Sequence, residues 1–147
     1  MRPPMRRVDY KIGDKVEVCS KEEGFFGSYY KARVVSRLQN GQYMVQYKNL
    51  LLEDKSGPLV ETIYPYELRP TPPRVRNPHE FQLNQKVDAF HNDGWWVGQI
   101  TSEKIITAEE GHCYWVYFST SSETNYYRYD QIRVHHEWFG GEWILDA

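Results

Sequence analysis

The residues of this chain best suited to chemistry are aromatic rings set beside carboxylates. The stretch NDGWWVGQI (92–100) carries two adjacent tryptophans, Trp95 and Trp96, directly after an Asp-Gly turn signal. Ring faces attract cations through their quadrupole, at roughly 0.5–2 kcal/mol per well-placed ring, and a nearby carboxylate adds to the attraction. In an extended strand neighbouring side chains point to opposite faces, so at most one of the pair can face a one-sided core. Parity groups Trp96 with Gly98 and Ile100 and leaves Trp95 for an interface or an exposed platform. Covalent chemistry finds less support. The densest set of potential ligands, His135-His136-Glu137, has no zinc-motif spacing and is expected to be a surface strand end. Cys113 lies near His112, no glycine-rich phosphate loop occurs, and nothing nominates a catalytic triad. No catalytic residue, metal or cofactor is expected.

Composition narrows the partner. Aromatic residues make up 16% of the 147 residues, and 12 of them are Tyr. Residues 1–75 hold 13 Lys/Arg against 9 Asp/Glu, a balance of +4, whereas residues 76–147 hold 5 against 11, a balance of −6. All five tryptophans lie in the acidic half. Aromatic richness with local negative charge suits a cationic partner better than a polyanion. The mean hydropathy is −0.74, and no apolar run approaches the roughly 20 residues that span a bilayer. The two cysteines, Cys19 and Cys113, form no CxxC, which points away from a disulfide framework and towards a reducing compartment.

The elements that must position these residues recur. KIGDKVEV (11–18) matches QLNQKVDA (82–89), GSYYKARVV (27–35) matches DGWWVGQIT (93–101), GQYMVQY (41–47) matches HCYWVYF (112–118), and IYPYELRP (63–70) matches YYRYDQIRV (126–134). Four segments in the same order mark an internal duplication. Between the copies, RPTPPRVRNPHE (69–80) contains four prolines, which supply no backbone donor and resist both helix and central strand. The expected division is a first domain over 8–70, a linker over 71–79 and a second domain over 80–147. The matched segments are short, β-branched or aromatic, and bounded by Gly, Asn, Asp or Ser, as strands are. Asn40-Gly41 signals a tight hairpin. Each copy is expected to be a four- or five-stranded, strongly bent antiparallel barrel, with Ala32 and Gly98 at the bend. Domains this small are marginal alone, so the copies are expected to pack together.

In order, GDKVEV, EEGFFGSYYKARVV, YMVQY and YELRP resemble an Agenet domain, the plant branch of the Tudor-like Royal superfamily. The second copy agrees through QKVDAF, DGWWVGQI, YWVYF and IRVHHEWFGGEW (132–143), the last resembling the family's closing R-x-H-x-x-W-x-x-G-x-W signature. The resemblance runs from about Tyr10 to Trp143. It implies two small Tudor-like antiparallel barrels packed in tandem, and a reader that holds methylated lysine of a histone tail in an aromatic cage. Within the plant tandem Agenet proteins it points to heterochromatin readers of methylated lysine 9 on histone H3, hence to chromatin in the nucleus and gene silencing.

The resemblance also nominates the cage. In the second copy, the preferred site, Trp96 matches the second-strand wall, Phe118 the third-strand wall, and Tyr126 or Tyr127 the wall opening the fourth strand. His91 lies where a first-strand wall is usual, Asp93 and Glu123 supply carboxylates, and Trp95 is kept as an additional candidate. The alternative site in the first copy comprises Phe25, Phe26, Tyr30, Tyr47 and Tyr64 with Glu22, Glu23 and Asp54. Trp138 and Trp143 are expected to cover a barrel end or the seam between the copies, and Trp115 to pack along its strand. The partner expected is the histone H3 N-terminal tail carrying methylated lysine, bound by a monomer without a membrane. Nucleic acid is the secondary reading, with Arg2, Arg6, Arg7, Lys11, Arg33 and Arg37 for phosphates and Trp95 or Tyr29 for base stacking.

Overall fold

The computed structural model describes residues 9–19, 27–73 and 80–145. The first repeat contributes β1 (Lys15–Cys19), β2 (Ser28–Arg37), β3 (Tyr43–Leu51), β4 (Pro58–Ile63) and β5 (Leu68–Pro70). The second contributes β6 (Lys86–His91), β7 (Gly94–Ile100), β8 (Ile105–Thr107), β9 (Gly111–Phe118), β10 (Glu123–Arg128) and β11 (Ile132–Val134). A hairpin of β12 (His136–Phe139) and β13 (Glu142–Leu145) follows. One 3-10 turn precedes β5 (Pro65–Glu67) and another precedes β11 (Tyr129–Gln131), at equivalent places and unforeseen from the sequence.

Both copies wind alike. In the first, β2 pairs with β1 and β3, β3 pairs with β4, and β5 returns to β1, all antiparallel. In the second, β7 pairs with β6 and β9, β9 with β8 and β10, and β11 returns to β6. Each meander thus bends back on its own first strand and forms a small Tudor-like barrel. The barrel interiors match by position. Val16, Val18, Ala32, Val45 and Leu68 fill the first, and Val87, Ala89, Val116 and Ile132 help fill the second. Tyr10 meets Tyr43 edge-to-face at 5.6 Å, and its amide donates to the Tyr43 hydroxyl at 3.2 Å. Phe81 repeats both contacts with Tyr114, at 5.3 Å and 3.0 Å.

Gly98 answers chiefly to close packing. A Cβ there would lie 2.6 Å from Val116 Cγ1 and 2.9 Å from the Tyr117 carbonyl oxygen, so β7 and β9 approach each other where only glycine fits.

The barrels join through β2 and β7, where Ser28 pairs with Trp96 and Tyr29 with Trp95. Tyr29 and Trp95 are equivalent in the duplication and are also ladder partners, so an approximate twofold axis passes through this pair. The sheet is therefore continuous across the seam. The closing hairpin crosses back to the first copy. The His136 carbonyl accepts a hydrogen bond of 2.8 Å from Arg69, and the Trp143 ring lies 5.1 Å from the Arg69 guanidinium. Trp138 packs on Trp143 with ring centroids 4.9 Å apart and a tilt of 55°. The hairpin's two tryptophans thus cover an end of the first barrel and part of the seam.

Candidate functional site

The second barrel's mouth gathers rings from four segments. His91 closes β6, Trp96 lies in β7, Phe118 closes β9 and Tyr127 lies near the end of β10. Tyr127 stands edge-on to Phe118 at 5.9 Å and to His91 at 6.3 Å. The Trp96 indole N–H donates to the His91 carbonyl at 2.8 Å, which fixes the ring against the strand beside it. Trp96 packs on both hydrophobic cores and remains half-buried, while Phe118 and Tyr127 are buried and His91 is exposed. Two exposed carboxylates border this group: Asp93 in the turn between β6 and β7, and Glu123 at the start of β10. Burial raises the Tyr127 hydroxyl above the ordinary tyrosine range, and the Glu123 charge adds to that rise. Such a surface of π faces and carboxylates is suited to an apolar cation.

Two nominated residues lie elsewhere. Tyr126 points to the outer face of the sheet, 5.2 Å from the exposed ring of Trp115. The period of two along β10 puts Tyr127, not Tyr126, at the mouth. Trp115, half-exposed, packs on its neighbour strand but not in a core. Trp95 is turned away from the mouth to the seam. The Arg133 guanidinium lies 4.4 Å from its ring, and Phe90 packs on it edge-to-face at 5.3 Å. That is the fate of the second tryptophan: it joins the copies.

The seam holds a buried ionic network. Glu17 and Asp88 occupy equivalent positions in β1 and β6 and are both 0% exposed. Arg69 donates to Glu17 Oε1 through Nε at 3.0 Å and Nη2 at 2.7 Å. Its equivalent, Arg133, bridges the copies, donating to Asp88 Oδ2 at 2.8 Å and to the two Glu17 oxygens at 2.7 and 3.0 Å. Each arginine also covers an aromatic ring of its own copy, with Arg69 3.4 Å from the Tyr29 centroid. His135 completes the network, with Nδ1 2.6 Å from Asp88 Oδ1 and Nε2 2.6 Å from Glu137 Oε1. The His135-His136-Glu137 run is therefore no surface strand end, since His135 is fully buried. Burial alone would push the Asp88 carboxyl up, but the hydrogen bond from His135 and the Arg133 charge outweigh it and hold it below the usual carboxylate range. Sequence alone does not reveal this network, because Glu17 and Asp88 alternate with core-facing apolar residues as solvent-facing charges do. Their recurrence, matched by that of Arg69 and Arg133, was the available signal.

In the first copy, Tyr30 and Tyr47 are buried in the core. Tyr64 is exposed and stacks on Tyr66 at 5.3 Å with an interplanar angle of 12°, away from the interior. Ile63 takes the place equivalent to Tyr127. Asp54 lies in an exposed turn and accepts hydrogen bonds from Ser56. Phe25, Phe26, Glu22 and Glu23 lie outside the described residues, as do Arg2, Arg6 and Arg7. Trp95 and Tyr29 each carry an arginine over the ring, which leaves less of either for stacking with a nucleic acid base.

The fold and the seam define a tandem pair of Tudor-like barrels. The family model of the Agenet domain matches residues 13–73, and the chain belongs to the Agenet family. The Arabidopsis thaliana protein AGENET DOMAIN (AGD)-CONTAINING P1 is 35% identical over 135 residues, covering 92% of this chain and 25% of its own length. DUF724 domain-containing protein 3 of the same plant is 36% identical over 134 residues, covering 88% of this chain and 19% of its own length. This chain thus spans a quarter or less of these relatives. The crystal structure of Arabidopsis thaliana AGDP1 AGD34 is similar with a TM-score of 0.83 at 34% identity, over 92% of this chain and 88% of that one. The structure of ADCP1 tandem Agenet domain 3-4 is similar with a TM-score of 0.78 at 30% identity, over 92% of this chain and 87% of that one. Agenet domains are interaction modules and not an enzymatic family.

Proposed function

We propose that this tandem Agenet pair reads a histone tail by holding a methylated lysine, lysine 9 of histone H3, at the mouth of the second barrel, in nuclear heterochromatin. The observation that carries this reading is the convergence of His91, Trp96, Phe118 and Tyr127 beside Asp93 and Glu123. A methylammonium has lost N–H donors and gained apolar surface while keeping its charge, so it exchanges water for ring faces at little cost. A carboxylate at the rim accepts any N–H that remains in the mono- and dimethyl forms. The acidic balance of the second half favours neighbouring Arg and Lys of the tail. The choice of lysine 9 and of heterochromatin rests on the family resemblance. The domain division at 8–70 and 80–147 belongs to the same reading. Affinity is expected to be micromolar, because a few tail contacts must offset ordering of the peptide.

The test is calorimetric titration with H3 tail peptides, unmodified and mono-, di- or trimethylated at lysine 9. Several-fold tighter binding of a methylated form, lost in a folded Trp96→Ala variant, is the expected result. Equal affinity for all forms removes the cage and returns the pair to methylation-independent scaffolding or nucleic acid binding.

A further inference from the structure

The mouth of the second barrel is not built by the second copy alone. Trp96 packs on the cores of both copies. On one side its indole is tied to the His91 carbonyl. On the other stands Tyr30 of the first copy, edge-to-face with Trp96 at 6.4 Å and 81°. The same tyrosine lies against the turn that carries Asp93. A Cβ added to Gly94 would come within 2.7 Å of Tyr30 Cε1 and 2.8 Å of Cζ, so the Tyr30 ring occupies the space a side chain at 94 would need. Asn92 and Asp93 both adopt the left-handed conformation, with φ of 49° and 64°, so the turn is tight and its exit at Gly94 sets the direction of the Asp93 carboxylate. The register explains the encounter. Ser28 pairs with Trp96 across the seam, and the twofold image of that pair is Tyr30 with Gly94.

We propose that Tyr30 is a positioning residue for the second barrel's pocket: its ring holds both the Trp96 wall and the Asn92–Gly94 turn where a methylammonium is taken up. The proposal rests on the cage reading above and deepens it, since it makes the pocket a shared site that neither copy carries alone. Tyr30 acts through Trp96 and Asp93 and need not touch the ligand. Asp93 also interacts electrostatically with the Tyr30 hydroxyl, whose ionisation is raised first by burial and then by that carboxylate. A cage depends on ring faces held at fixed angles, so loss of this support weakens recognition of the methyl groups more than it weakens contacts with the rest of the tail.

The experiment compares affinities for dimethylated and unmodified lysine 9 peptides in wild type, Tyr30→Leu, Gly94→Ala and the double variant. Tyr30→Leu keeps apolar bulk in the first core while removing the ring tip, and folding is checked by circular dichroism and thermal unfolding. Each single variant is expected to cut the methyl preference at least threefold with smaller loss of affinity for the unmodified peptide. Because the added Cβ at 94 collides with the Tyr30 ring, the Gly94→Ala penalty is expected to shrink in the Tyr30→Leu background. A methyl preference unchanged in both single variants, while Trp96→Ala abolishes it, overturns the positioning role and leaves the cage standing. A merely structural role would lower the melting temperature without moving the preference, which also overturns it. If wild type shows no methyl preference, the cage reading itself fails. If Tyr30→Leu does not fold, Gly94→Ala decides alone, since it keeps every first-core side chain and only displaces the Tyr30 ring.

Discussion

The two barrel mouths occupy equivalent places on the same scaffold and differ in what lines them. Trp96, Phe118 and Tyr127 of the second copy correspond to Tyr30, Tyr47 and Ile63 of the first. All three first-copy residues are buried in its core, whereas Trp96 is left half-open. A barrel of this size needs apolar bulk at these positions, and tyrosine, phenylalanine or isoleucine satisfies that need. Phe118 and Tyr127 are buried in the second core like their counterparts, so the open indole at 96 is what exceeds the needs of folding. The difference therefore rests on Trp96, which keeps a face open to a ligand while the rings behind it also hold the barrel together. It also reverses the roles across the seam, because Tyr30, the weaker wall, supports the stronger one.

The comparison breaks most completely at the seam, on which both mouths depend. Glu17 accepts hydrogen bonds from Arg69 of its own copy and Arg133 of the other. Glu17→Gln leaves two largely buried guanidinium groups short of a counter-charge. Removing one partner of a buried ion pair costs about 3–5 kcal/mol. The expected outcome is a loss of that order in urea unfolding, with one cooperative transition giving way to two as the copies separate. A loss below about 1 kcal/mol with a single retained transition would mean that strand pairing between β2 and β7 joins the copies without help from the network.

A smaller change sharpens the comparison at the mouth. Tyr127→Ile gives the second copy the residue that the first has at the equivalent place. One well-placed ring contributes about 0.5–2 kcal/mol to holding a cation, so methyl preference is expected to fall by a few-fold to about thirtyfold. Affinity for the unmodified peptide should change less, and calorimetry on both peptides separates the two. An unaltered methyl preference would remove Tyr127 from the pocket and mark it as core alone.

How much of this was legible in the sequence follows from the period of each signal. Strand positions and the duplication were readable because alternation and turn residues are local, and the identification of Trp96 as the inward member of its pair followed from parity. The choice between Tyr126 and Tyr127 needed the register of β10 against β9, which shifts with a single loop residue. The buried network was harder. Glu17, Asp88, Arg69 and Arg133 read as surface charges until the seam places them face to face, and no local pattern distinguishes a charge destined for burial. Nor could the contact between Gly94 and Tyr30 be read, because it depends on the angle at which two separate barrels meet.

The smallest effect concerns pH and again divides the copies. His135 has no titrating counterpart in the first copy, where the equivalent residue is Thr71. Burial alone would lower the His135 pKa, but the hydrogen bond and charge of Asp88, followed by those of Glu137, outweigh it and raise it. With both ring nitrogens 2.6 Å from carboxylate oxygens, the folded state favours the imidazolium. A raised folded pKa gives stability that is fully present below the unfolded histidine value, about 6.5, and is lost as pH rises through the raised value. Asp88, held low, remains ionised throughout that window. His136 acts in the opposite sense, because burial lowers its pKa and protonating it opposes folding as pH falls below the ordinary histidine value. A His136→Asn background therefore isolates the His135 term. In that background, the unfolding free energy from urea titration is expected to decline from neutral to mildly alkaline pH by about 1 kcal/mol or less, the difference between a charged and a neutral hydrogen bond, with the midpoint falling accordingly. A further His135→Asn change should flatten the decline. A midpoint that instead rises over the same range would mean that His135 is neutral in the folded protein and that Arg133 alone satisfies Asp88.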